Sequence, residues 1–130
     1  MMSSTKKILS NKNTIQNVVI PFYVYAALFF FIAAAMLLLS SESFLHHYFH
    51  PHILAITHAM TLGWATMIIL GASYQLIPVL IENNLYSTRL AILTFILAAI
   101  GIPNLVYGFY QFDMGFPAQI GGTLIIASII

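Results

Sequence analysis

Four runs of apolar residues alternate with short polar segments along this chain. They extend over 18–39, 51–81, 88–110 and 116–130, and a polar segment over 1–17 precedes them. Each of the first three is at least as long as the about 20 residues that a helix needs to cross the hydrocarbon core of a bilayer. The pattern therefore predicts an all-α fold, a polytopic transmembrane helix bundle that follows a polar cytoplasmic tail.

The fourth run is short for a membrane crossing and is still apolar at Ile130, the last residue. No turn, anchoring residue or polar tail closes it. We therefore expect about four helices, the fourth truncated, and a chain that is the N-terminal part of a larger bundle. The alternative is a complete small protein whose last helix is only half inserted.

Composition agrees with a membrane location. The chain is 61% hydrophobic and 5% charged, whereas soluble domains contain about 25% charged residues. Water could not solvate such a surface, so the expected partners are the lipid bilayer and the remaining helices of the bundle. The net charge of +1 indicates no nucleic-acid partner. Because the chain has no cysteine, any metal must be held by His, Met or oxygen donors.

The basic residues predict the orientation of the helices. Three lysines lie in the tail, and Arg89 closely follows the second run. The loops over 40–50 and 111–115 contain neither Lys nor Arg. Because cytoplasmic loops carry an excess of Lys and Arg, we expect a multi-pass protein of the cell (inner) membrane with a cytoplasmic N-terminus.

His58 is an ionisable residue inside the second predicted helix. If that helix begins at Pro51, His58 lies roughly 10 Å from its outer end. An ionisable side chain at the centre of a bilayer costs about 2.5 kcal/mol or more, so such residues usually have a function. A metal, a proton path or a polar partner within the bundle would each account for it, and imidazole is a common axial ligand of haem iron.

Small residues follow His58 along the same predicted face. At 100° per residue, Thr61, Ala65 and Ala72 fall within roughly 60° of it. These four residues are the candidate cofactor-binding residues, because a flat cofactor needs a strip without bulky side chains. The alternative is ordinary helix packing, with His58 hydrogen-bonded to a neighbour. Gly63 faces elsewhere and is expected to serve helix packing.

The other histidines precede the second predicted helix or lie at its start: His46, His47, His50 and His52. His46 and His50 have the spacing of one helical face and could bind a divalent metal if that stretch were helical. Pro51 restricts His50, which favours an outer loop with solvated imidazoles. No histidine follows His58. The second ligand of a bis-histidine haem would therefore come from beyond Ile130 or from another chain.

Prolines mark two further positions. Pro103 and Asn104 inside the third run predict a kink, with a side-chain partner for the backbone group that the proline frees. Pro78 should free the carbonyl of Tyr74 in the same way. Glu82 and Asp113 are expected to be solvated loop charges.

The segment Thr57–Trp64, continued by Gly71–Val79, resembles the second transmembrane helix of the haem–copper oxidase subunit I superfamily. The likeness is closest to its divergent branch, which is cytochrome oxidase-like and nitric oxide reductase-like. The resemblance implies that His58 is an axial ligand to the iron of a low-spin haem. It also implies electron transfer toward oxygen or nitric oxide reduction, as an oxidoreductase only within a longer chain. A cytochrome c or quinol would be the donor, and any copper would have its ligands outside this chain.

Two other functions remain open. The chain also resembles the NnrS-type haem and copper membrane proteins of nitric-oxide stress, which carry histidines at the outer end of an early helix. A non-redox membrane transporter or scaffold is the third possibility. In that protein His58 would be a buried polar contact or a proton relay, and Pro103 and Gly121–Gly122 would be candidate hinges.

Overall fold

The computed structural model describes residues 1–45 and 50–130, without the side chains of 7–12 and 43–44. Within these residues the fold is helical and contains no strand, which confirms the all-α prediction. The four main helices, named here α1 to α4, are α1 (Met2–Leu39), α2 (Pro51–Leu80), α3 (Thr88–Gln111) and α4 (Phe116–Ile129). A short 3-10 helix, Ser41–Leu45, follows α1.

Three of these helices are long and apolar enough to cross a membrane, namely α1 through its segment Asn13–Leu39, α2 and α3. The fourth, α4, is apolar but shorter. The molecule is accordingly a multi-pass membrane protein. The polar segment over 1–17 is helical, because α1 begins at Met2 and continues through it.

One stripe of α1 packs against α2 and α3. Its buried members recur every three or four residues: Val18, Phe22, Ala26, Phe29 and Ala33. The ring of Phe22 is fully buried and lies 5.5 Å from the ring of Tyr74 in α2 and 5.1 Å from that of Phe95 in α3. The opposite side of α1 exposes large apolar side chains such as Phe31 and Leu38, as expected of a face in contact with lipid.

Glycines bring α3 and α4 into close contact. A Cβ added at Gly121 would lie 2.5 Å from the backbone nitrogen of Leu105 and 2.8 Å from the carbonyl oxygen of Gly101. One added at Gly108 would lie 3.0 Å from the Cβ of Ala118. Small residues at such contacts let helix backbones approach closely, which is how helices associate when hydrophobic burial cannot drive them together.

A tyrosine of α1 satisfies the backbone group that Pro103 frees. Because Pro103 has no N–H, the carbonyl of Ala99 one turn earlier loses its helical partner. The hydroxyl of Tyr25 donates to that carbonyl oxygen at 2.9 Å. The amide of Asn104 donates instead to the carbonyl of Ile100 at 2.7 Å. The freed carbonyl thus has a side-chain partner, as predicted, but the partner comes from another helix rather than from the neighbouring Asn104.

The contact at Gly121 predicts unequal effects of two adjacent substitutions. Gly121→Ala should lower the free energy of unfolding by about 1–3 kcal/mol, because the added methyl group meets backbone atoms of α3. Gly122→Ala is the matched control, since nothing lies within 4 Å of its added Cβ, and should be neutral or stabilising by about 0.5–1 kcal/mol. Unfolding in mixed micelles, followed by circular dichroism, measures both. Equal effects at the two positions would contradict this packing.

The bond between Tyr25 and Ala99 predicts a coupled pair of substitutions. Tyr25→Phe should cost about 1–2 kcal/mol of unfolding free energy, because it leaves the Ala99 carbonyl without a partner in an apolar interior. In a Pro103→Ala background the restored backbone N–H can bond that carbonyl, so Tyr25→Phe should cost close to nothing. A double-mutant cycle on unfolding free energies measures the coupling. Strictly additive costs would show that the proline and the tyrosine do not share this carbonyl.

Candidate functional site

His58 lies at a change of helical geometry within α2. This helix is α-helical over Pro51–His58, π-helical over Ala59–Thr66 and α-helical again over Met67–Leu80. A π-helix has wider turns than an α-helix, because its hydrogen bonds span five residues instead of four, and such segments occur frequently at functional sites. The hydroxyl of Thr66 follows this wider spacing and donates to the carbonyl of Thr61 at 2.8 Å.

The imidazole of His58 is held by one hydrogen bond and one ring contact. Its Nδ1 lies 2.7 Å from the carbonyl oxygen of Leu54, one turn earlier. Its ring stacks on that of Phe109 in α3, with centroids 4.0 Å apart and planes inclined by 24°. A carbonyl oxygen can only accept, so Nδ1 must carry the hydrogen. In the neutral ring, Nε2 then carries the lone pair.

The Nε2 atom of His58 has no hydrogen-bond partner among the described residues. The side chain is half-buried. The lone pair of Nε2 lies in the plane of the ring, whereas Phe109 covers a face of that ring. The stack therefore leaves the in-plane position beside Nε2 uncovered.

The end of α3 that carries Phe109 is fixed by its capping bonds. Phe112 adopts a left-handed conformation with φ 55°. The N–H of Phe112 donates to the carbonyl of Phe109 at 3.1 Å, and that of Asp113 donates to the carbonyl of Gly108 at 2.8 Å. This pair of bonds is the Schellman motif that closes many helices. Because Gly108 also packs tightly against Ala118 of α4, the turn that bears Phe109 is held from two sides.

Two more histidines lie near the start of α2. The ring of His52 stacks on that of Tyr110, with centroids 4.4 Å apart and planes at 11°, and the ring of His50 lies 5.0 Å from that of His52. Both histidines are half-buried. The expectation of solvated loop imidazoles is therefore wrong for His52, which is a helical residue packed against α3.

The less favoured alternative, a metal pair of His46 and His50, stays untested, because His46 and His47 lie outside the described residues. In the part of the chain that the structure describes, no group of three or more His, Cys, Asp or Glu side chains could hold a metal ion. Asp113 lies between α3 and α4, as expected, and its carboxylate accepts a hydrogen bond from the backbone of Gly115 at 2.9 Å.

The candidate cofactor-binding residues lie along α2 at differing depths. Thr61 is exposed, and Ala65 and Ala72 are half-buried. The alignment of these residues with His58 assumed 100° per residue, and the π-helical segment Ala59–Thr66 departs from that value. That they share one face with His58 remains a prediction.

The predicted packing role of Gly63 is confirmed. A Cβ added at Gly63 would collide with the side chain of Phe29 in α1. The next residue of α2, Trp64, also contacts α1, because its ring centroid lies 5.3 Å from that of Phe30. The middle of α2 therefore packs directly on α1.

Reasoning from sequence missed two residues that contact His58, namely Leu54 and Phe109. Leu54 could have been found, because it precedes His58 by one helical turn and a histidine can bond the carbonyl at that position. Phe109 could not have been assigned, because its contact with His58 depends on how α2 and α3 pack. Its position in an aromatic group at the end of the third apolar run was the only available signal.

The chain was compared with models of known protein families, with curated proteins and with solved structures, and none matches. The class that the fold itself defines is a helical, multi-pass membrane protein. The likeness of Thr57–Trp64 and Gly71–Val79 to haem–copper oxidase subunit I rests on those residues alone and remains a prediction.

Proposed function

We propose that this chain is part of an integral membrane haem protein in which Nε2 of His58 is an axial ligand of a low-spin haem. One observation carries the proposal. The 2.7 Å bond from Nδ1 to the Leu54 carbonyl occupies Nδ1, so that Nε2 is the nitrogen that could ligate iron. Histidines that bind metals generally donate their other ring N–H to such an acceptor, which fixes the tautomer and raises the basicity of the ligand.

The donor set around His58 fits a haem. Imidazole is one of the axial ligands that haem iron takes, and a chain without cysteine can supply no thiolate. Thr61, Ala65 and Ala72 would lie against the flat ring. Their hydroxyl and methyl groups are small, and the Thr61 hydroxyl is already bonded to the Thr57 carbonyl at 2.8 Å. This side of α2 would therefore offer an apolar cofactor little competing polarity.

In this proposal each residue has a distinct role. The Leu54 carbonyl holds the His58 tautomer, and the apolar helices exclude water, which sets the local polarity and hence the reduction potential. A bound haem supplies one-electron redox chemistry. A second ligand from outside the described residues would give a six-coordinate iron, which suits electron transfer.

We further propose the cellular setting that the charge pattern indicates. A cytoplasmic N-terminus in the inner membrane would place His58 in the outer half of the bilayer. Electrons from a cytochrome c or a quinol would pass through this haem toward a centre that reduces oxygen or nitric oxide. That centre would belong to further helices of a larger bundle.

The proposal predicts the absorbance of the purified membrane protein. The full-length wild-type protein, expressed in a haem-producing host, should show low-spin haem bands in a reduced-minus-oxidised spectrum. His58→Ala should abolish them, because the axial nitrogen is lost. His52→Ala is the matched control. It removes another imidazole that stacks on α3 and should leave the bands intact.

Two results would contradict this function. One is unchanged haem content and unchanged bands in His58→Ala. The other is a colourless wild-type protein from a host that loads haem into a control cytochrome.

A scaffold role for His58 is the second candidate, and the stack on Phe109 favours it. A ring bonded through Nδ1 and covered on one face also describes an interhelical packing residue. His58→Phe would preserve such a stack. In a scaffold this variant should keep the free energy of unfolding and the protein should be colourless, whereas in a haem protein the variant loses its cofactor.

A further inference from the structure

The ring of Phe109 is the closest aromatic neighbour of His58 that the structure describes. Their centroids lie 4.0 Å apart and their planes are within 24° of parallel. Such a near-parallel stack restrains the tilt of the imidazole plane more than it restrains sliding of the imidazole parallel to the Phe109 ring. Because Phe109 belongs to α3 and His58 to α2, the restraint comes from a different helix than the one that carries the ligand.

The hydrogen bond to Leu54 does not by itself fix the orientation of the imidazole. It holds Nδ1 near one carbonyl, but the ring can still rock about that bond, since rotation about the terminal side-chain bond of histidine has a broad energy minimum. A flat partner on one face removes this remaining freedom. The two contacts together determine both which nitrogen is presented and the direction in which its lone pair points.

Phe109 is itself well held. It packs against the buried core, its carbonyl accepts one of the bonds that close α3, and Gly108 beside it is in tight contact with Ala118. The backbone that carries Phe109 is therefore held by the α3–α4 pair, and its side chain packs against the core. A side chain held in this way can restrain a neighbouring ligand.

We propose that Phe109 is the positioning residue for the axial ligand, and that its stack sets the rotation of the His58 ring about its bond to the iron. This inference rests on the proposed function. The orientation of an axial imidazole affects the electronic structure of the iron, so residues that orient metal ligands affect binding and redox properties without touching the metal.

The test uses the purified, haem-loaded full-length protein and two readouts. Electron paramagnetic resonance of the ferric form reports the ligand orientation, and transfer of haem to an excess of apomyoglobin reports retention. Phe109→Leu, which keeps apolar bulk but removes the flat ring, should shift the low-spin g values and speed haem transfer about threefold to tenfold. Phe109→Tyr keeps the ring and should restore both values to those of wild type.

Tyr110→Leu is the matched control. It removes the neighbouring aromatic ring of α3, which stacks on His52 and not on His58, and should leave both readouts unchanged. If Phe109→Leu fails to fold by circular dichroism, Phe109→Met replaces it, with the same expected shifts.

Several outcomes would overturn the positioning role. Wild-type g values and haem transfer in Phe109→Leu, or equal effects of Phe109→Leu and Tyr110→Leu, would show that the stack is ordinary packing. Shifted g values and faster haem transfer in Phe109→Tyr, which keeps the flat ring, would also show that the stack does not position His58. If His58→Ala still loses its haem in those cases, only the positioning role fails. If the wild-type protein binds no haem, the proposed function fails and the positioning role fails with it.

Discussion

The constraint on which this structure depends is that polar groups inside a bilayer must find partners within the protein. The chain meets it locally wherever it can. The hydroxyls of Thr57, Thr61 and Ser73 each donate to a carbonyl of their own helix. Where Pro103 breaks the pattern, the hydroxyl of Tyr25 supplies the missing partner. The same rule bears on His58, because the bond from Nδ1 to the Leu54 carbonyl satisfies one ring nitrogen, and the proposed function assigns the other nitrogen to a haem.

Close packing is the second requirement, and it positions the site. Lipid is as apolar as the side chains, so helices associate through fit rather than through hydrophobic burial. Gly63 lets α2 approach Phe29 of α1, and Gly121 lets α4 approach α3. His58 lies where the π-helical segment of α2 begins, and Phe109 of α3 covers its ring. The contacts of His58 thus come from two helices, α2, which carries it, and α3.

The sequence predicted much of the fold, because each of the first three apolar runs is long enough to identify a crossing by itself. The second run, over 51–81, corresponds to the helix Pro51–Leu80, and His58 lies near its start. The start of α1 at Met2 was not foreseen, since the residues that precede the first run have no apolar pattern to reveal a helix. Sequence reasoning also missed the π-helical segment and the partners of His58 and Ala99. Of these, only the Leu54 carbonyl could have been predicted, because it lies one helical turn before His58. These features depend on how helices pack, and local spacing carries no information about contacts between distant residues such as Tyr25 and Ala99.

The central claim is that the protein holds His58 with a hydrogen on Nδ1 and a free lone pair on Nε2. Nitrogen-15 magnetic resonance of histidine-labelled, haem-free protein in lipid nanodiscs measures this directly, and the His58 signals are those lost in His58→Asn. For the neutral ring we expect the proton on Nδ1 and an Nε2 shift typical of an unprotonated imidazole nitrogen. A proton on Nε2 with none on Nδ1 would contradict this structure. Nδ1 could then not donate to the Leu54 carbonyl, and Nε2 would have no lone pair with which to bind a metal.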